Sequence, residues 1–351
     1  MDAIESIKSQ INKFKMIGVC LELVDNWTRT IYIESIGDGI ETFTIPDGVR
    51  NIIKGKSKLS KLKSVSIKKI KFPDTLEMIG DEVFAYWKSV ESLGFPDSLK
   101  LIGRYAFRGL TKLRSITFGN QLRTIGEAAF LDNESLTELK FPDRLQTIGN
   151  GGFRRCKKLK SIELNEWLEK LGICAFSETG LECVKFPRSL RELGGDAFGD
   201  CKDLKYIELN EGLTEIPVYA FMGTGIKELK IPDSVETIHD SAFYDCKKLE
   251  SIEFGTNLTK IGSYAFSSCG ISRELKFPES LQGIGESAFK KTRVWVIDFR
   301  NCTKLDDIGR DAFEDCKYLT RVYGLPEKCS LLDIFMGCDN LSIERIKIRG
   351  S

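Results

Sequence analysis

The sequence predicts an α/β repeat solenoid, an arc of coils with a parallel sheet on its concave side and short helical turns and loops on its convex side. Three observations predict it. One segment recurs about every 23 residues along most of the 351-residue chain. Each copy has apolar residues at the same positions, and no copy is long enough to bury its own apolar face. Such copies become stable when they stack and share one continuous core.

The repeat is visible when "TIHDSAFYDCKKLESIEF", residues 237–254, is compared with the rest of the chain. The segments "TIGNGGFRRCKKLKSIEL", "ELGGDAFGDCKDLKYIEL" and "DIGRDAFEDCKYLTRVYG" share its pattern. A phenylalanine marks each copy, and successive markers are 22, 23 or 24 residues apart. The marker phenylalanines are Phe84, Phe107, Phe130, Phe153, Phe176, Phe198, Phe221, Phe243, Phe266, Phe289, Phe313 and Phe335.

Each copy combines a strand with a turn. Ile162 and Leu164 alternate with polar residues, as strand residues that face a buried core do. Phe153 and Cys156 are three residues apart, so a short helical turn would point both into the same interior. We expect the marker rings to stack about 5 Å apart, the spacing of adjacent strands. Each ring would bury on the order of 150–250 Å².

This pattern resembles the BspA-like leucine-rich repeats, whose consensus is close to "IPDSVETIGxxAFxxCxxLxxIxI". Residues 231–254 depart from it chiefly where glycine becomes His239. The resemblance covers about residues 40–348 and implies a leucine-rich-repeat arc of about 13 coils. It further implies a non-catalytic protein–protein interaction scaffold that binds through the concave face. The alternative is a cell-surface or secreted adhesin for host or matrix proteins, because some members of that family are adhesins.

Residues 1–39 are expected to cap the open end of the solenoid, which then occupies residues 40–348. Ile4, Ile7, Ile11 and Phe14 form one apolar face of a predicted helix that ends near Gly18. The segment "VCLELVDNWTRTIYIE" alternates in period two on both sides of a turn, which predicts a β-hairpin. A helix for a membrane surface or a partner is the alternative. At the far end, "LSIERIKIRG" predicts a final edge strand.

Residues 50–72 form an irregular lysine-rich insertion with eight lysines, one arginine and no acidic residue. A basic patch here could bind acidic partners, whereas a solvated loop is the ordinary interpretation. No aromatic stacking platform for single-stranded nucleic acid is interleaved with the lysines, so no nucleic acid partner is expected. The candidate residues for an acidic partner are Lys54, Lys56, Lys58, Lys61 and Lys63.

The single histidine, His239, precedes Cys246 by seven residues, and Asp240 lies beside it. The repeat explains both residues without catalysis. Other copies have glycine at the histidine position, which suggests an unusual backbone angle. Cys246 is one of six cysteines that follow the marker phenylalanine by three residues. We therefore reject a nucleophilic dyad and assign no catalytic residue.

The eleven cysteines are expected to be buried thiols rather than disulfides. The pairs Cys246/Cys269 and Cys316/Cys338 are neighbours in adjacent copies, but they should point into the core in parallel. One histidine and no C-x-x-C cannot supply a usual zinc site. The sequence also contains no P-loop, no G-x-S-x-G and no GxGxxG that follows a strand and opens a helix. We therefore expect no enzymatic activity, no metal and no cofactor.

One outward position alternates in charge over eight consecutive strands. Opposite charges on neighbouring strands stabilise a stack by about 0.2–1 kcal/mol per pair, and exposed pairs contribute less. The middle of the sheet is therefore interpreted as mainly structural. The alternating residues are Lys140, Glu163, Lys185, Glu208, Lys230, Glu253, Lys276 and Asp298.

The sheet changes character towards its C-terminal end, where "RVWVIDF" brings a tryptophan and a valine to positions that are polar elsewhere. The next copy supplies an arginine and a tyrosine. Exposed aromatic and arginine side chains are typical of interface hot spots. The alternative is that the tryptophan folds over the edge and covers degenerate coils. The candidate partner-binding residues are Tyr206, Trp295, Val296, Asp298, Arg321 and Tyr323.

Composition is that of a soluble protein, with 42% hydrophobic and 29% charged residues and a formal net charge of +1. No apolar run approaches the roughly 18–20 residues of a membrane helix. The first residues mix charges with apolar positions and contain no signal-peptide core. We expect a cytoplasmic monomer with a protein partner of unknown identity. A secreted or surface location applies if a leader was removed.

Overall fold

The computed structural model describes residues 2–15, 20–36, 39–55 and 66–348. The fold is a parallel β-solenoid of the leucine-rich-repeat type with about 13 turns, an N-terminal helix and an antiparallel hairpin. The predicted fold class is confirmed. Contacts divide the chain into unit 1, Met1–Leu181, and unit 2, Glu182–Ser351. The predicted domain boundary after residue 39 stays a prediction.

Unit 1 begins with helix α1 (Ala3–Lys15) and the hairpin strands β1 (Cys20–Asp25) and β2 (Thr30–Ser35). Each later coil of unit 1 contributes two short strands, which we call its front strand and its back strand. The front strands are β3 (Thr42–Thr44), β5 (Lys69–Lys71), β7 (Ser92–Gly94), β9 (Ser115–Thr117), β11 (Glu138–Lys140) and β13 (Ser161–Glu163). The back strands are β4 (Asn51–Lys54), β6 (Met78–Ile79), β8 (Leu101–Ile102), β10 (Thr124–Ile125), β12 (Thr147–Ile148) and β14 (Lys170–Leu171).

Parallel hydrogen bonding joins each coil of unit 1 to its neighbours. The back strands form one ladder in the order β2-β4-β6-β8-β10-β12-β14, and β1 pairs antiparallel with β2. The front strands pair as β3-β5-β7-β9 and β11-β13. Leu139 opposite Ile162 fixes the β11–β13 register, so equivalent residues of successive copies lie side by side.

The N-terminal elements cover the first coil. The apolar face of α1 buries Ile7 and Ile11, and the side chain of Ile7 lies 3.5 Å from the position of a Cβ on Gly48. Gln10 accepts a hydrogen bond from the backbone N–H of Asp47 through its Oε1 at 3.0 Å. Through both contacts, the helix caps the first coil and shields the open end of the core from water.

Unit 2 continues the same pattern and ends with the short helix α2 (Leu331–Ile334) and a 3-10 turn at Ile343–Arg345. Its front strands are β15 (Cys183–Lys185), β17 (Tyr206–Glu208), β19 (Glu228–Lys230), β21 (Ser251–Glu253), β23 (Leu275–Lys276), β25 (Val296–Asp298), β27 (Arg321–Leu325) and β28 (Ile346–Ile348). Its back strands are β16 (Glu192–Leu193), β18 (Glu215–Ile216), β20 (Thr237–Ile238), β22 (Lys260–Ile261), β24 (Gly283–Ile284) and β26 (Asp307–Ile308).

The strands of unit 2 also pair in parallel. The back ladder runs β18-β20-β22-β24-β26, and the front strands pair as β15-β17, β19-β21 and β23-β25-β27-β28. Strand β28 lies at the edge of its sheet, where the C-terminal sequence predicts an edge strand. None of the helices in the described ranges combines the length and the apolar character needed to cross a bilayer.

The segments around the marker phenylalanines are hydrogen-bonded turns rather than the short helical turns expected. In the turn around Phe107, both Tyr105 (φ 53°) and Gly109 (φ 72°) have left-handed backbone, which interrupts a right-handed helix. The N–H of Phe107 donates to the carbonyl of Ala129 in the next coil at 2.8 Å. The turns therefore form a third ladder between coils, beside the front and back strands.

The marker phenylalanines stack as predicted. In unit 1, the ring of Phe130 lies 5.4 Å from Phe107 and 5.1 Å from Phe153, with interplanar angles of 6° and 4°. In unit 2, Phe243 lies 5.3 Å from Phe221 and 5.2 Å from Phe266. These rings are fully buried. Each unit therefore has a continuous aromatic column as its core.

None of the eleven cysteines, all of which the structure describes, forms a disulfide. Cys246 and Cys269 are buried and hydrogen-bond through their thiols, and so do Cys316 and Cys338. Each of these sulfur atoms also lies within hydrogen-bonding distance of a backbone carbonyl of the preceding coil, as Cys246 Sγ lies 3.2 Å from the carbonyl oxygen of Phe221. Burial raises the pKa of the Cys269 and Cys316 thiols, so these groups remain protonated.

Glycine recurs four residues before the marker phenylalanine for a different reason from the one predicted. Its φ angle is not in the left-handed region, for example at Gly262 or Gly285. Instead, a Cβ on Gly262 would lie 2.6 Å from the backbone nitrogen of Asp240 in the preceding coil. The constraint is therefore close approach between coils, and the expectation of an unusual backbone angle at His239 is wrong.

Candidate functional site

The outward side chains of the front strands in unit 2 enclose a groove of about 700 Å³. It extends along β17, β19 and β21, and Arg273 of the next coil also lines it. Tyr206 lies in this groove and is 54% exposed, and its hydroxyl donates to Glu208 at 3.4 Å. The predicted partner-binding residue Tyr206 therefore lines a concave surface.

Charged side chains of the front strands pair with one another. Lys185 contacts Glu208 at 3.0 Å, and Lys230 contacts Glu253 at 3.1 Å. In unit 1, Lys140 contacts Glu163 at 3.0 Å. These are pairs that the predicted sign alternation requires, and all six side chains are largely exposed, so each contributes little to stability.

The last two members of the alternation pair differently. Lys276 pairs at 3.0 Å with Glu274, which directly precedes β23, and Asp298 pairs with Arg300. The front sheet of unit 2 therefore neutralises itself along the groove and changes its pairing where β23 meets β25.

The other five predicted partner-binding residues lie together on and beside two paired strands. Val296 is opposite Arg321, and Asp298 is opposite Tyr323. Trp295 directly precedes β25, and its carbonyl accepts the backbone N–H of Thr320 at 2.9 Å. The tryptophan is 59% exposed. We call Trp295, Val296, Asp298, Arg321 and Tyr323 the terminal patch.

Arg300 lies beside the terminal patch, and it was not predicted from the sequence. Its guanidinium donates to both carboxylate oxygens of Asp298, at 2.9 and 2.7 Å, and lies 5.0 Å from the ring centroid of Tyr323. The hydrogen bond from Arg300 holds the pKa of Asp298 below its ordinary value. Asp298 therefore orients an arginine over an aromatic ring.

The lysine-rich insertion is described only in part. Lys54 contacts Glu82 at 2.7 Å, and at the other end Lys68 contacts Glu41 at 2.6 Å. The hydrogen bond and charge of Glu41 raise the pKa of Lys68. The candidates Lys56, Lys58, Lys61 and Lys63 lie outside the described residues, so the basic patch stays a prediction.

The rejected dyad residues occupy different environments. The Nε2 of His239 lies 2.9 Å from Glu215 Oε2 at the surface, whereas Cys246 is fully buried. Over the described ranges, no three histidine, cysteine, aspartate or glutamate side chains gather where they could hold a metal ion.

Comparison with known protein families identifies the family to which the repeat belongs. A sequence profile of the BspA-type leucine-rich repeat region, which spans six copies of the repeat, matches residues 57–150, 131–250 and 236–351. The chain belongs to the BspA-type leucine-rich repeat family. Non-catalytic binding proteins are typical of this family. No curated protein matches the chain.

Solved structures share the fold of this BspA-type protein. A leucine-rich repeat protein from Bacteroides ovatus is 22% identical, with a TM-score of 0.64 over 94% of this chain and 75% of its own. The pneumococcal vaccine antigen PcpA is 20% identical, with a TM-score of 0.58 over 92% and 84%. A leucine-rich cell surface protein from Faecalibacterium prausnitzii is 22% identical, with a TM-score of 0.51 over 93% of both chains. At these identities, the likeness concerns the fold alone.

Proposed function

We propose that this BspA-type chain is a non-catalytic protein-interaction scaffold that binds a protein partner through the front sheet of unit 2. The observation that carries the proposal is the terminal patch, in which an exposed tryptophan, an arginine and a tyrosine lie on or beside two paired strands. Tryptophan, tyrosine and arginine are the residues most enriched among interface hot spots.

The terminal patch differs from the rest of the front sheet because it contains a charged side chain without an ion pair. Along the groove, lysines and glutamates already neutralise one another, as Lys230 and Glu253 do. Arg321, by contrast, is exposed and makes no ion pair with any residue in the described part of the chain. A partner carboxylate can therefore bind Arg321 without first breaking an existing pair.

Trp295 supports the same conclusion from its position. The equivalent position in earlier coils of unit 2 is charged, with Lys205, Lys227 and Glu250. A tryptophan there gains little for the fold while it is 59% exposed, whereas burial against a partner removes a large apolar surface from water. The adjoining groove with Tyr206 gives the partner a polar surface beside this anchor.

The proposal is tested by affinity capture with the whole chain from source lysate, culture medium and purified matrix proteins. The test variant is Trp295→Ala/Val296→Glu/Arg321→Glu, which removes the anchor, adds a charge and reverses another. We expect the wild type to retain a protein that the variant loses, with at least about a hundredfold weaker binding for two lost hot spots.

The matched control is Tyr318→Ala/Lys317→Glu, which changes an exposed aromatic residue and a charge elsewhere on unit 2. It should bind like the wild type. A partner that the test variant retains while the control variant loses it would place the interaction on the turns and contradict the proposal.

An adhesin is the second candidate function. The observation that favours it is the shared fold of a cell surface protein from Faecalibacterium prausnitzii. In that case, the same terminal patch would bind host or matrix proteins instead of a cytoplasmic protein. The source of the captured partner distinguishes the two functions.

A further inference from the structure

Unit 1 contains a depression of about 360 Å³ that is separate from the front sheet. It is lined by Arg123, Asp143, Arg144, Gln146 and Trp167, which lie in the segments that lead into the back strands β10, β12 and β14. No prediction from the sequence includes these residues.

Trp167 occupies a position whose side chain contributes to the fold in some of the copies. At this position in those copies, a hydroxyl donates to a carbonyl of the preceding coil, as Ser98 does to Leu76 at 2.6 Å and Ser280 does to Leu258 at 2.7 Å. Trp167 has no hydroxyl, and it is 64% exposed. The tryptophan therefore lacks the hydrogen bond that those copies make, and it presents an exposed indole at the depression.

The backbone at the tryptophan is hydrogen-bonded into the fold. The backbone N–H of Trp167 donates to Asn165 Oδ1 at 2.8 Å, and Asn165 Nδ2 donates to the carbonyl of Pro142 in the preceding coil at 2.8 Å. Asn165 is buried. The backbone that carries the tryptophan is thus tied to the neighbouring coil, so a ligand would meet a preorganised surface.

The charged groups around the indole are not neutralised. Arg144 donates to the neutral amide oxygen of Gln121 at 2.7 Å, and this bond keeps its charge unpaired. Arg123 and Asp143 make no side-chain hydrogen bond or ion pair with another residue in the described ranges. In an earlier coil, the residue equivalent to Asp143, Asp97, accepts the N–H of Asn120. Two guanidiniums and one carboxylate give the residues that line the depression a charge of +1.

We propose that this depression binds a carboxylated sugar ring, such as a uronate. A pyranose has one face of C–H groups, which fits against a flat indole, and a rim of hydroxyls that both donate and accept hydrogen bonds. The amide of Gln146 and the carboxylate of Asp143 match that rim. A single carboxylate on the ligand balances the local charge and pairs with a guanidinium. A volume of about 360 Å³ holds one ring.

The test is a titration of the whole chain with glucuronate and with glucose, followed by saturation-transfer NMR and calorimetry. A single ring with one charge pair is expected to bind with a dissociation constant of about 1 mM. Glucose, which lacks the carboxylate, is expected to bind about tenfold more weakly. Equal binding of the two sugars, or no binding of either, overturns the proposal.

Three variants assign the effect to residues. Trp167→Ser should abolish binding while the melting temperature is unchanged or raised, because the new hydroxyl can donate to the carbonyl of Leu145. Arg123→Gln should remove the preference for glucuronate over glucose. Trp27→Ala is the control, since Trp27 is 92% exposed on the hairpin and outside the depression; this variant should bind like the wild type.

An acidic peptide provides the competing outcome. If Ac-Asp-Pro-Glu-NH₂ binds in a manner that depends on Trp167 while glucuronate does not bind, the depression recognises a protein and the proposal is wrong. Retention of glucuronate binding by Trp167→Ser would equally overturn it. Neither outcome bears on the terminal patch, which lies in unit 2, so this test fails or succeeds independently of the proposed function.

Discussion

Replacing Phe243 with alanine is expected to destabilise unit 2 by about 3–5 kcal/mol. The ring is fully buried and stacks between Phe221 at 5.3 Å and Phe266 at 5.2 Å. Its removal leaves a cavity between two flat rings that the backbone ladders hold at a fixed separation, so neighbouring side chains cannot collapse into it. The loss therefore combines the transfer free energy of the ring with a cavity cost.

The measurement is urea unfolding followed by far-UV circular dichroism, with Tyr244→Ala as the control. Tyr244 is the next residue along the chain but is 38% exposed, and its replacement should change the free energy of unfolding by about 0.5 kcal/mol or less. Because each coil contacts only its neighbours, the transition of Phe243→Ala should broaden or split rather than simply shift. Equal effects of the two substitutions would contradict a stacked aromatic core.

Replacing Gly285 with alanine is expected to cost about 1–3 kcal/mol, although the change adds only one methyl group. A Cβ at this position would lie 2.5 Å from the backbone nitrogen of Ser263 and 2.6 Å from the carbonyl carbon of Gly262. Both atoms belong to the preceding coil, and backbone held by a ladder cannot move as a side chain can. Two coils would have to separate locally.

Gly283 provides a matched control in the same coil. It lies in β24, and the nearest atom to its Cβ position is the carbonyl oxygen of Asp307 at 4.0 Å. Gly283→Ala should therefore leave the melting temperature unchanged or raise it slightly, because alanine restricts the unfolded chain. If both alanine variants had the same stability, close approach between coils would not explain the glycine position.

The sequence contains enough information for the architecture of the coils. Phe243 could be assigned to a stacked column because its register recurs at a nearly constant interval, and a constant interval places equivalent residues side by side in a parallel ladder. The pairing of Lys230 with Glu253 follows from the same register. Both predictions depend only on which residues are neighbours, and the period determines that directly.

Local backbone conformation could not be predicted in the same way. The turns contain residues with left-handed backbone, such as Tyr105, Asp245 and Lys291. The residue types give little indication of this conformation, because bulky side chains rarely adopt it. The recurring glycine position was recognised in the sequence, but the reason for it was not. Close approach to the preceding coil depends on the backbone path of both coils. Spacing alone cannot distinguish a steric constraint from a left-handed φ.

The candidate sites were predicted in part. Val296, Asp298, Arg321 and Tyr323 were placed on one face by register, and the structure brings them together. Arg300 was missed because it follows the strand, although the spacing Asp-x-Arg is a signal for a local charge pair. Trp167 could have been found by aligning the copies, since that position otherwise holds small or polar residues.

The most direct measurement of the central claim is site-specific photo-cross-linking to the captured partner. Benzoylphenylalanine would replace Tyr206 or Arg273, the exposed groove residue opposite Trp295, or Tyr244 on the turns of unit 2, in three otherwise identical proteins that keep Trp295. The proposed function predicts cross-links from positions 206 and 273 and none from position 244. Cross-links from Tyr244 alone would show that the partner binds the turns, and they would contradict the assignment of recognition to the front sheet.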